Sequence, residues 1–187
     1  MYKLCKTEQS SARQRELEQG LLRQMYHRRY EDISISDLCD HLNIPRKTFY
    51  RYFSGKDGAL FSLLDHTIME FYETGTIEGL KGSTPLGDLE RFFAFWYEKR
   101  TLLDVLYRSS LTGTLVERCT LLARNEQLAP SVTKGWDNLK QDIAISFVVC
   151  GLLSMVFRWQ QEGFCATAKE MADVATAMLS RPLLTKN

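Results

Sequence analysis

Between Ser34 and Leu60 the chain signals three helix starts in quick succession, and that crowding leaves few folds open. Ser34 is followed three residues on by Asp37, a capping-box-like start in which the acid also suits the helix dipole. It opens a short segment over residues 35–42. Asn43 can adopt the left-handed backbone that a sharp helix-to-helix turn requires. Pro45 then supplies a fixed φ at the first turn of another helix, running to about Phe53. Ser54 and Asp57 repeat the cap signature and open a long amphipathic helix, with Leu60, Phe61, Leu64, Ile68 and Phe71 along its stripe. Short helices joined by a tight polar turn, with a longer one directly after, are the parts of a helix-turn-helix head.

Helical spacing continues on both sides. Residues 8–28 place Leu17, Leu21 and Met25 on one stripe. No alternating Val/Ile/Thr run bounded by tight turns reads as a strand. Residues 75–87 hold Gly75, Gly79, Gly82, Pro85 and Gly87, which end the fourth helix in a loop. Residues 86–100 are dense in aromatics, and helices follow over 102–108 and 112–124. A polar loop surrounds Pro130 and Gly135. A long helix over 137–162 stops at Gly163, and Thr167-x-x-Glu170 is a full capping box that opens the last helix. The expected fold is all-α, with about nine helices.

The formal net charge of +1 gives no hint of a nucleic-acid partner, but the charge is uneven. Residues 1–57 carry eleven Lys/Arg against eight Asp/Glu, and the remainder thirteen against fifteen. A mildly basic head on a neutral body suits DNA contact. Five scattered cysteines with no CxxC pair read as reduced, mostly structural thiols of a cytoplasmic protein. The apolar run 143–157 falls short of the roughly 20 residues needed to span a bilayer, so no membrane partner is expected. Catalysis is not expected either. His27, His41 and His66 lack metal-site spacing, and no phosphate loop or nucleophile elbow appears. No cofactor or metal is implied.

The third helix carries the function. Phe49 and Phe53, four apart, can dock it on the first two helices, leaving Arg46, Lys47, Tyr50 and Arg51 to face outward. Arg and Lys pair with guanine edges, while Thr48 and the tyrosine hydroxyls reach phosphates or a thymine methyl. Lys56 and Ser34, at starts of helices, can add to phosphate binding. The runs at residues 30–38, 43–53 and 54–60, with Thr48-Phe-Tyr-x-x-Phe-x-x-Lys56 at their centre, closely resemble the TetR family of regulators. The likeness covers about residues 10–64. It implies that Thr48, Tyr50, Tyr52 and Lys56 contact phosphates or bases, and that Arg46 and Lys47 read sequence. Asn43, Pro45 and Lys47 depart from the family's usual turn Gly, helix-opening Ser and small residue.

The resemblance further implies an N-terminal helix-turn-helix domain over residues 1–56 and a helical regulatory and dimerisation domain over 57–187. Such a protein binds double-stranded DNA at an inverted-repeat operator as a homodimer. The run 143–157 is apolar around nearly its whole circumference, so a face must be covered, either by a second copy or within the monomer. Phe147, Gly151, Ser154, Met155, Met171, Val174 and Met178 are the expected interface residues. Phe92, Phe93, Trp96, Tyr97, Tyr107 and Trp159 form either plain core or the lining of an effector pocket. Two readings stand: a repressor released by a small-molecule effector, and a coactivator whose C-terminal domain binds a protein partner.

Overall fold

The computed structural model describes residues 2, 5, 7–77, 85–125 and 135–180. The described residues form nine α-helices: α1 (Glu8–Met25), α2 (Ile35–His41), α3 (Arg46–Tyr52), α4 (Lys56–Ile77), α5 (Pro85–Glu98), α6 (Arg100–Arg108), α7 (Thr112–Asn125), α8 (Asn138–Gln161) and α9 (Ala168–Ser180). A 3₁₀ turn at Tyr30–Asp32 precedes α2. The helix count and class match the expectation. Most of the loop expected over 75–87 and the one around Pro130 lie outside the described residues.

Local chemistry explains the boundaries. Ser34 and Asp37 close a full capping box: the Asp37 amide donates to Ser34 Oγ at 3.0 Å, and the Ser34 amide donates to Asp37 Oδ2 at 2.8 Å. The Ser34 hydroxyl also donates to Asp37 Oδ2, and this bond, followed by the one from the Ser34 amide, holds the Asp37 carboxyl below the usual aspartate range. Asn43 turns the chain at φ +50°, and the Ile44 amide returns to the Cys39 carbonyl at 2.9 Å. Pro45 sits one residue earlier than expected. It is the N-cap of α3, with extended backbone, rather than its first helical residue. Gly163 and Phe164 both take positive φ after α8, and the Phe164 amide donates to the Trp159 carbonyl at 2.9 Å. Thr167 and Glu170 form the expected box at α9.

The chain divides into two compact units, Met1–Met69 with Val105–Arg118, and Glu70–Asp104 with Cys119–Asn187. The first is larger than the segment 1–56 marked out by the motif. Its extra part is needed to fill the core. Leu17, Leu21 and Met25 of α1 are buried with Leu38, Phe49, Phe53, Leu60 and Leu64. Each large side chain so removed from water contributes about 1.5–3 kcal/mol. Gly20 allows α1 to approach α2, since a Cβ there would lie 2.7 Å from Leu42 Cδ1. Within the same unit the α6–α7 corner grips the base of the head. Ser109 Oγ accepts from the Tyr30 amide at 3.0 Å, and Arg108 reaches the Tyr26 carbonyl at 3.3 Å. Arg118 pairs with the buried Asp65, its Nε 2.7 Å from Oδ1, and this bond raises the guanidinium above its ordinary value. The buried polar atoms of α1 and α4 form a chain in which Gln14 Nε2 donates to Ser62 Oγ and Ser62 donates to Glu18, each within 2.7 Å.

In the second unit α5 packs along α9. α8 buries Ile145, Leu153, Val156 and Trp159 on one stripe. The helix is longer than the apolar run read from sequence. It has 24 residues, with a mean hydropathy of 1.7 in its most apolar stretch, enough by length and composition alone to cross a membrane. Polar contacts hold it to its neighbours near both ends: Arg124 Nη2 donates to Ser146 Oγ at 3.1 Å, and Gln160 Nε2 donates to Asp104 Oδ1 at 2.7 Å.

Candidate nucleic-acid interface

α3 is a seven-residue helix held to the head by its aromatic side. Phe49 and Phe53 lie in the core with ring centroids 5.3 Å apart. Arg46, Lys47, Tyr50 and Arg51 are exposed on the other side, as their three- and four-residue spacing requires. Tyr50 is 51% exposed, its ring set edge-on to Phe49 at 5.7 Å. Arg51 leans back, donating through Nη2 to the Tyr52 hydroxyl at 3.1 Å. Arg46 and Lys47 make no ion pair or hydrogen bond among the described residues. Thr48 is half-buried at the edge of this face.

Two residues of the motif have other work. Tyr52 is only 4% exposed, with its ring 6.4 Å from that of Phe53 and its hydroxyl occupied by Arg51. It belongs to the core. Lys56 turns its ammonium inward, donating to the carbonyls of Tyr30 at 2.5 Å and Ile33 at 2.6 Å, and sits 4.2 Å from the Tyr30 ring centroid. Burial holds its pKa below the ordinary lysine value. The Tyr30 hydroxyl in turn donates to Asp57 Oδ1 at 2.5 Å, and burial followed by that bond pushes the phenol up. Lys56 is therefore a brace between the start of α4 and the 3₁₀ turn, rather than an ammonium extended toward a phosphate. Ser34 is exposed, but its hydroxyl is engaged with Asp37.

The structure adds a feature that sequence reasoning missed. The first turns of α1 run beside α3, so that Gln9, Ser10, Arg13 and Glu16 line an open cleft of about 510 Å³ with Thr48 and Arg51, and Arg13 pairs with Glu16 inside it. Nothing local marks these polar residues, since their position depends on how α1 docks.

The residues expected at a pocket and at an interface also separate. Phe93, Trp96 and Trp159 are buried, Phe92 is half-buried, and Tyr97 is exposed on one side. Their rings pack on each other: Phe93 meets Trp159 edge-on at 6.0 Å, and Tyr97 stacks on Trp159 at 5.8 Å. Trp159 spends its indole N–H on the Ala166 carbonyl, 3.1 Å away. Tyr107 is 51% exposed and belongs to the first unit. Along α8, Phe147, Gly151 and Ser154 face outward with Ile143, and along α9 Val174 and Met178 do so. Met155 and Met171 are half-buried.

Comparison with solved structures places this architecture. A putative TetR-family regulator from Syntrophomonas wolfei superposes with a TM-score of 0.67 at 17% identity, over 95% of this chain and 100% of its own. The fold is that of TetR-family regulators. The fatty acid degradation regulator FadR from Bacillus halodurans gives a TM-score of 0.64 at 13% identity, covering 93% of this chain and 97% of its own. Thermus thermophilus FadR, a TetR-family repressor solved with lauroyl-CoA, gives 0.52 at 13%, covering 93% and 96%. No family model and no curated protein matches the sequence.

Proposed function

We propose that this chain is a TetR-type transcriptional regulator that binds duplex DNA as a homodimer. The observation that carries the reading is the exposed face of α3, where Arg46, Lys47, Tyr50 and Arg51 stand clear of a helix-turn-helix core. Thr48 and the α1 side of the cleft flank that face and supply phosphate contacts. Residues 1–56 hold the contacting surface, and the rest regulates and dimerises. The apolar rows on α8 and α9 pair with those of a second copy. A lipid cover suits α8 less well, because Arg124, Asp142, Asp104 and Gln160 hold it to charged neighbours.

The action proposed is repression relieved by a small molecule. The T. thermophilus neighbour, solved with lauroyl-CoA, supports an amphipathic effector with a long apolar chain. One observation favours the coactivator reading instead: the aromatic cluster is packed ring against ring, and Trp159 has no indole N–H to offer a ligand. Thermal shift against a series of acyl-CoAs separates the two, since an effector stabilises by mass action. DNA binding is tested by titrating the full chain with duplex DNA at rising salt. A dimer that neutralises 6–10 phosphates loses roughly 10³–10⁵ in affinity between 50 and 200 mM salt. Binding that is absent, or flat with salt, overturns the reading.

A further inference from the structure

We infer that Tyr2 is a positioning residue for DNA binding: with Cys5 it straps the end of α3 to α4 and α1, and so fixes the orientation of the DNA-contacting face. This inference rests on the proposed role of α3 and deepens it.

α3 needs such a hold. It has seven residues, and Pro45 gives its start no side-chain cap. A helix that short is not stable alone in water, so its shape and direction depend on what touches it. Phe49 and Phe53 secure its buried side. Its last turn runs directly into Phe53, whose backbone is extended at φ −127° and ψ 140°. Extended backbone can pair with a second segment, and here it does. Tyr2 forms an isolated antiparallel bridge with Phe53.

Two side-chain anchors fasten the segment before α1. The Tyr2 hydroxyl donates to Asp65 Oδ2 at 2.5 Å. Asp65 is 3% exposed and also holds Arg118 of α7, so the acceptor is itself fixed. Burial, followed by the bond to Asp65, pushes the Tyr2 phenol up and keeps it a donor. The Cys5 thiol donates to Gln14 Oε1 at 2.6 Å, and Gln14 Nε2 donates in turn to Ser62 Oγ at 2.7 Å. Tyr2 and Cys5 thus tie α1, α4 and the end of α3 together within the first unit. Arg51 lies close enough to Cys5 for its charge to act on the thiol, which puts the strap beside the contacting face. Without the Tyr2 anchor α3 samples orientations that do not fit the groove. Apparent affinity then falls with the fraction of molecules that are correctly set.

The test compares the full chain with Tyr2→Phe, which keeps the ring, and Tyr2→Ala, at a temperature where all three are folded by circular dichroism. Duplex affinity should fall roughly tenfold in Tyr2→Phe and further in Tyr2→Ala. The salt slope should stay that of the wild type, because no phosphate contact is lost. Amide exchange should quicken over residues 48–53 while Leu17 and Leu21 keep their protection. A general loss of stability would instead quicken both. Should Tyr2→Ala unfold, Tyr2→Phe decides alone, since Arg118 still pairs with Asp65 in it. Wild-type affinity in the variants would overturn the inference, as would exchange that rises evenly through the head. A salt slope reduced by about one would also overturn it, making Tyr2 a direct phosphate contact. All three results leave salt-dependent binding by the wild type standing. A wild type that binds no duplex at any salt concentration removes the DNA-binding reading and the positioning role together.

Discussion

A lysine ammonium carries three donors, and Lys56 directs them at backbone carbonyls of the segment leading into α2. Removing that group leaves the Tyr30 and Ile33 oxygens without their charged donor in a partly buried place. Loss of such a partner costs about 1–3 kcal/mol. Lys56→Met should therefore lower the urea midpoint of the full chain. If Lys56 is a brace, the same variant should leave the salt slope of DNA binding unchanged. A direct phosphate contact would instead reduce that slope by about one. Tyr52 follows the same logic. Its place in the Thr48-to-Lys56 pattern was readable from sequence, but its burial was not, because the pattern does not say which face α1 covers.

At the scale of the helix, the caps are local devices and were legible in the sequence. Ser34 with Asp37, and Thr167 with Glu170, form the boxes their spacing implies. Asp37 and Glu170 are held below their ordinary values by these bonds, Asp37 first by the Ser34 side chain and Glu170 first by the Thr167 backbone. A carboxylate with a depressed folded pKa adds stability that is present above its unfolded value and lost as pH falls through the folded one. The melting temperature should thus decline as pH drops below about 4. Asp37→Asn should flatten part of that decline in melts recorded between pH 6 and pH 3. An unchanged pH profile would show that the box at α2 contributes nothing to it. The position of Pro45 shows where local signals end: N-cap and first helical residue both suit proline's φ, and the neighbouring backbone decides between them.

For the whole molecule, the exposed apolar row along α8 governs assembly in the proposed dimer. Phe147 is 59% exposed in the middle of the helix, with Ile143 four residues before it and Gly151 four after. If a second copy packs there, Phe147→Glu buries an unpaired carboxylate at the contact and should weaken self-association by roughly 100-fold or more. Sedimentation of wild type and variant checks this. A wild-type monomer at micromolar concentration would remove the homodimer, and with it the expectation of an inverted-repeat operator. The variant should melt near the wild-type temperature when both are monomeric, since its side chain leaves only solvent.

The sequence by itself determined the helices, most of their ends, and the residue types that α3 offers a base. All of these depend on neighbours within about four positions, where hydrogen bonds and side-chain spacing act locally. Tertiary structure alone decided that Lys56 points inward, that Tyr52 is core, and that the first turns of α1 stand beside α3. Those outcomes follow from which faces share a core. That choice is made between residues tens of positions apart, where no short-range pattern records it.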